Sequence, residues 1–183
     1  MKKLAIISPG IGYNKDKPLL YYATKLVKSL GYEVIHIEYK DLPADAKGDV
    51  AMMEKAAKVA FSQAEEQLKD IAFSDYEKVV FIGKSIGTVV IAAYVYYHKV
   101  KAAQVWYTPV EATFQFDPKD VTAFIGDADP FSDITIVKDK AKACGVKLYT
   151  YERCNHSLET GDVKVDIKNL GEVMKLTEDY LEV

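Results

Sequence analysis

The chain has 183 residues, 49% of them hydrophobic, with a formal charge of -3 and an isoelectric point near 5.7. That length and apolar content suit one domain over 1–183, burying about 70% of the unfolded surface. The lysines are spread along the whole sequence, so no basic face is offered to nucleic acid, and a small-molecule partner is expected.

The N-terminus "MKKLAIISPG" begins like a secretion signal, but its apolar run stops at Ser8-Pro9-Gly10, short of the 7–15 residues such a signal needs. No stretch reaches the roughly 20 uncharged apolar residues of a membrane span. Cys144 and Cys154 are too few for a disulfide scaffold, and no Cys/His spacing resembles a zinc site. The expectation is a cytoplasmic chain with no metal and no cofactor; the sequence leaves the oligomeric state open.

Taken in chain order, 3–8 (KLAIIS) reads as a strand, and 19–30 places Leu19, Ala23, Leu26, Val27 and Leu30 on one helical stripe. A second strand is expected at 32–38 (YEVIHIE). It is followed by a helix over 50–72 with Met53, Ala57, Ala60, Phe61, Ala64, Leu68 and Ile71 inward. Strands follow at 77–82, 102–107, 121–125 and 146–151, with a buried helix in "TVVIAAYVYYH" and a last helix at about 165–181. The strands are rich in Val, Ile and Tyr and mostly apolar on both faces, as strands covered by helices on each side should be. This alternation predicts an α/β, three-layer sandwich with a mostly parallel sheet of about six strands and right-handed crossovers. Ligands of such sheets bind just beyond the carboxyl ends of the strands.

The stretch "VVFIGKSIGTVV", 79–90, stands at one such end and admits two readings. A phosphate loop ending in Gly-Lys-Ser requires a glycine five residues before Gly83, where the sequence has Lys78, and "VVFI" leaves no room for an anion cradle. A Gly-x-Ser-x-Gly nucleophile turn requires glycines two residues before and two after the serine, because a Cβ there would collide with neighbouring backbone. Gly83 and Gly87 meet that requirement around Ser85. Such a pattern arises by chance in roughly one chain of this length in twenty, so the remaining groups decide.

A nucleophilic serine needs an imidazole to take its proton and a carboxylate to fix that imidazole's tautomer. Of three histidines, His36 lies inside a strand pattern and His98 ends the helix after Ser85, where a cation offsets the helix C-terminal partial charge. His156, in the loop "ERCNHSLE" after the last strand, is the candidate base. Asp127 and Asp129 both follow the fifth strand in "FIGDADPF". Either can serve as the acid, and both also suit turn and cap chemistry.

The order of Ser85, aspartate and His156 on successive strand ends, with "GKSIG", "GDADPF" and "NHSLE", resembles the small members of the α/β-hydrolase family that lack a cap domain. The resemblance extends over nearly the whole chain. It implies the sheet order 2-1-3-4-5-6 and favours Asp129, the fourth residue of a Gly-x-x-Asp turn, over Asp127. It also implies an oxyanion hole from the backbone N–H of Ile86 and that of Ile11, with Gly12 the alternative. Two departures stand out: the first two strands of full-length members are missing, and Pro9-Gly10-Ile11-Gly12 replaces the His-Gly turn many members carry after this strand.

Only "TPVEATFQFDPKD" separates the fourth and fifth strands, too little for a lid, so an open pocket bordered by Gly12, Tyr13, Thr108, Pro109, Val110 and Phe114 is expected. The leading functional expectation is a serine hydrolase acting on a small ester or thioester through an acyl-enzyme. An acyltransferase with the same three residues and a non-catalytic binding module are the alternatives. A flavodoxin-like nucleotide binder is disfavoured because "SPGIGYN" lacks a Ser/Thr-rich phosphate cradle.

Overall fold

Lys3–Ser8 forms strand β1 of the computed structural model, which describes residues 2–43 and 49–182. Helix α1 (Pro18–Ser29) leads to β2 (Tyr32–His36), α2 (Val50–Leu68) to β3 (Lys78–Lys84), and α3 (Ile86–His98) to β4 (Ala103–Tyr107). A 3-10 turn at Glu111–Phe116 precedes β5 (Val121–Gly126), after which come α4 (Ile134–Cys144), β6 (Lys147–Tyr151) and α5 (Val163–Leu181). The sheet has six strands in the order β2-β1-β3-β4-β5-β6. Every pairing is parallel, so the sheet is wholly rather than mostly parallel.

Each strand alternates its side chains between two apolar layers, which is why the strands read as continuous hydrophobic runs. Leu4, Ile6, Val79, Phe81, Trp106 and Ala123 face one layer, together with residues of α2, α3 and α4. Ala5, Ile7, Val80, Ile82, Val105 and Phe124 face the other, against α1 and α5. Helix α3 is buried along Ile86–Tyr94, as a helix packed against the central strands must be. Polar groups in these layers are bonded: the Trp106 indole N–H donates to Gln104 Oε1 at 3.1 Å, and the hydroxyls of Tyr107 and Thr177 meet at 3.0 Å.

Helix α2 differs from its expected form. Its fully buried residues are Ala56, Ala60, Ala64 and Leu68; the last three belong to the expected stripe, whose Met53, Ala57, Phe61 and Ile71 are partly buried, and Ala56 is the one inward residue the stripe left out. It ends at Leu68, short of 72, and Phe73–Asp75 is a 3-10 turn. Strand β2 stops at His36 rather than 38, because the chain beyond it pairs with side chains of α2: Gln67 both donates to and accepts from the Glu38 backbone, and Gln63 does the same at Lys40.

Two glycines test the packing at opposite extremes. A Cβ on Gly126 would lie 2.0 Å from the Cys154 carbonyl oxygen, backbone that cannot swing aside, so Gly126→Ala should cost about 3 kcal/mol. Exposed Gly171, inside α5, has nothing within 4 Å of the same position. Gly171→Ala should stabilise by up to about 1 kcal/mol through helix propensity. Urea unfolding of both variants should give these opposite signs.

Candidate active site

The carboxyl edge of the sheet gathers the candidate residues from three strand ends. Ser85, between β3 and α3, has φ 56 and ψ -123, a conformation that costs a non-glycine residue of order 1–3 kcal/mol. Its neighbours hold it there. The Ser85 N–H donates to the Tyr107 carbonyl at 3.0 Å, and its own carbonyl accepts from the Thr88 N–H at 2.8 Å. A Cβ on Gly83 would meet the Gly87 carbonyl oxygen at 2.7 Å, and one on Gly87 would meet the Ser8 carbonyl oxygen at 2.4 Å. The two flanking glycines are therefore required by backbone approaching backbone.

His156 Nε2 lies 2.8 Å from Ser85 Oγ, and His156 Nδ1 lies 2.6 Å from Asp129 Oδ2. With the proton on Nδ1 donated to the carboxylate, Nε2 is left to accept the serine hydroxyl proton. The Asp129 side chain is fully buried and that of His156 is 16% exposed. Asp129 Oδ1 also accepts from the Phe131 N–H at 2.9 Å, and the Phe131 ring stands edge-on to the imidazole with centroids 5.0 Å apart. Asp127 does something else: it is exposed, and its Oδ1 accepts from the Arg153 N–H at 2.6 Å, fastening the β5 turn to the loop after β6.

The other histidines stand apart from this chain. His36 Nε2 bonds Thr24 Oγ1 at 3.0 Å, and burial, assisted by Lys15 and Lys28, lowers its pKa. His98 stacks on Tyr94 and bonds Glu65 at 2.8 Å.

Residues 10–13 form a tight turn in which Gly10 and Tyr13 exchange backbone hydrogen bonds and Gly12 takes a φ of 72. The turn lies against the serine, since a Cβ on Gly10 would come 3.3 Å from Ser85 Cβ. Ile86 opens helix α3, where backbone N–H groups lack intrahelical acceptors. Neither its N–H nor that of Ile11 finds an acceptor among the described residues.

The expected pocket border is largely interior. Tyr13, Thr108, Pro109, Val110 and Phe114 are all buried, and only Gly12 is exposed. The Tyr13 hydroxyl accepts from the Leu19 N–H at 3.0 Å, and burial pushes its pKa up to about 12. Thr108 has φ 47, and its hydroxyl is buried with no partner among the described residues. Sequence reasoning missed that Lys84, next to the serine, is only 1% exposed, with its ammonium 4.8 Å from the centre of the Tyr13 ring. The partly buried hydrogen bond between Ser8 and Tyr39 was also missed. A charged residue ending an otherwise apolar strand was the one available signal for Lys84.

Depressions among the described residues lie at both edges of the sheet. One of about 380 Å³, between α1 and α5, is lined by Leu19, Leu158, Val163 and Ile167 and begins one residue past His156. The larger, about 1160 Å³, is lined by Ile71, Phe73, Tyr94 and His98 at the opposite edge of the sheet. Its size does not make it the site, because parallel sheets collect their functional groups at the carboxyl edge. Among the described residues no cluster of three or more His, Cys, Asp or Glu is placed to hold a metal, and no helix is long and apolar enough to cross a membrane.

No protein-family model matches the sequence, and no curated protein does either. Solved structures do. A Xanthomonas campestris α/β serine hydrolase without a lid matches 99% of this chain and 83% of its own, with a TM-score of 0.69 and 16% identity. The chain has the α/β-hydrolase fold. A Pyrococcus furiosus esterase has a TM-score of 0.71 at 13% identity, over 99% of this chain and 82% of that one. Est1E from Butyrivibrio proteoclasticus, solved with ferulic acid bound, gives 0.68 at 12% identity, over 99% and 90%. In this α/β-hydrolase fold Ser85 occupies the sharp turn between a central strand and the helix beneath it.

The geometry distinguishes Ser85 from other hydroxyls. A fluorophosphonate should label Ser85, which is partly exposed beside His156, and leave Ser8 unmodified, since its hydroxyl is buried against Tyr39. Peptide mapping by mass spectrometry would detect either label.

Proposed function

We propose that the protein is a serine hydrolase that cleaves small carboxylic esters or thioesters through an acyl-enzyme. The observation that carries this reading is the unbroken line of hydrogen bonds from Ser85 through His156 to the buried carboxylate of Asp129. In this mechanism Ser85 Oγ attacks the carbonyl carbon while its proton passes to His156 Nε2. The carbonyl oxygen becomes an oxyanion held by the N–H groups of Ile86 and Ile11. As that intermediate collapses, the bond to the leaving group breaks, and His156 gives it the proton. Water then attacks the acyl-serine, its proton going to His156 and from there back to Ser85 Oγ as the acid departs.

Asp129 remains a carboxylate throughout. It fixes the imidazole with Nε2 toward the serine and offsets the positive charge His156 carries between transfers. The whole chain, 1–183, acts as one lidless unit on a small acyl substrate. Free thiols at both Cys144 and Cys154 suit a reducing compartment such as the cytoplasm.

The two aspartates separate the roles. Asp129→Asn should lower kcat by up to about four orders of magnitude, since an amide favours the wrong tautomer of His156. Asp127→Asn should cost far less, because the Asn side-chain oxygen can still accept from the Arg153 N–H. If neither variant fell tenfold in ester turnover, the hydrolase reading would fail. Only the neutral imidazole accepts the serine proton, so wild-type turnover should rise with pH as the His156 imidazolium deprotonates and fall on acidification. That rising limb should vanish in His156→Ala and persist in His36→Ala.

A further inference from the structure

Apart from the two layers that sandwich the sheet, the molecule has a third, small apolar cluster. It consists of Ala56 and Ile86, exposed by 0% and 1%, with Ile11, Met52, Met53 and Ala57 packed partly buried against them. Two of its members, Ile11 and Ile86, are the residues whose backbone N–H groups would hold the oxyanion. The others come from the first two turns of α2. That helix carries the chain from β2 back to the start of β3, so its N-terminal end stands at the carboxyl edge of the sheet, level with Ser85.

The placement has a side to it. Ser85 follows β3, near the middle of the sheet. His156 and Asp129 come from beyond β6 and β5 in one direction. The turn holding Ile11 and the start of α2 come from β1 and β2 in the other. A tetrahedral carbon on Ser85 carries three further substituents. Its oxygen sits on the two N–H groups, and its leaving group must stay within reach of His156 Nε2 to be protonated. The acyl chain, the third, departs from the same carbon on the side away from His156.

We propose that this acyl chain lies along the shelf formed by Ile11, Met52 and Met53 over the buried Ile86, and that the shelf makes the enzyme prefer acyl chains several carbons long. The inference rests on the hydrolase reading above and names the part of the substrate that reading left open. The shelf is firm below and adaptable above. Asp49 caps α2 by accepting the Met52 N–H at 3.1 Å, and the Met53 N–H bonds the Asp49 carbonyl at 2.9 Å, so the first turn is fixed. The unbranched thioether side chains on that turn can repack around chains of different length.

The test holds the leaving group constant with a series of p-nitrophenyl esters from acetate to octanoate. In the wild-type protein each methylene covered by the shelf should raise kcat/KM by up to about fourfold, so hexanoate should exceed acetate by at least about tenfold. The readout is the hexanoate-to-acetate ratio. It should collapse toward one in Met52→Gln/Met53→Gln and survive in Met53→Leu, which keeps the apolar surface and shows that the position tolerates change. Val163→Gln and Ile167→Gln, exposed by 69% and 65% in the groove past His156, should keep the wild-type ratio. A flat series with measurable acetate turnover would overturn the shelf and leave the hydrolase reading standing, as would a ratio lost only in the Val163 and Ile167 variants, which would put the chain in the groove. No turnover of any ester would refute the hydrolase reading and the shelf with it.

Discussion

Ser85 keeps a backbone conformation that an isolated serine would abandon, and the site is organised around the contacts that hold it there. The chain must pass from the buried end of a strand into the buried start of a helix within one residue. It does so with Gly83 against Gly87 and Gly87 against the Ser8 carbonyl, at separations a side chain would not permit. The strain is held by the Ser85 N–H bond to Tyr107 on the neighbouring strand and by the Thr88 N–H bond back to the Ser85 carbonyl. The same crowding presses β1 and the turn after it against the serine, and Ile11 packs in one apolar cluster with Ile86. The hydroxyl and its expected oxyanion donors are thus consequences of a single close crossing of backbone.

The all-parallel sheet supplies the remaining distance. Its strands end on one edge, so loops remote in sequence converge there: His156 and Ser85 are 71 residues apart along the chain and 2.8 Å apart in space. The layers beneath are apolar on both faces, and burial excludes water from the Asp129 carboxylate. In such surroundings a hydrogen bond to His156 is stronger than it would be in solvent. The turn that presents Asp129 is tied by Asp127 to the backbone of the loop that presents His156. The two aspartates are therefore partners in one construction, one facing the imidazole and the other joining the two loops.

Much of this was legible in the residues because the chemistry is local. The Gly-x-Ser-x-Gly spacing reports a steric requirement, and strands apolar on both faces report burial on both sides. His36 and His98 were set aside from their positions alone, and each has a structural partner in Thr24 and Glu65. Choosing between Asp127 and Asp129 needed the family resemblance, since both follow the same strand and only the turn's path decides which one faces His156. The α2 stripe was legible except at Ala56, because Ala56-Ala57 is symmetric to a hydrophobic pattern and periodicity does not show which of the two is fully covered. The low exposure of the expected pocket border was not legible for a related reason. Loop residues have no repeat to show which way they point, and Tyr13 and Thr108 turn inward. The apolar contact of Met52 and Met53 with Ile11 and Ile86 joins segments roughly 33 to 42 residues apart, which no short pattern connects.

The central claim is that Ser85 becomes covalently acylated and is then released by water. Rapid mixing with p-nitrophenyl acetate followed by acid quench tests it directly, with p-nitrophenol release and intact mass followed together. The account predicts a burst of about one p-nitrophenol per chain and a transient mass increase of one acetyl group, located on the peptide containing Ser85. Steady release without a burst would leave the claim open only if deacylation were fast, which a slower-hydrolysing carbamate ester would settle by accumulating on the same residue. An adduct on any other residue, or turnover of both reagents with no adduct on Ser85, would contradict the account.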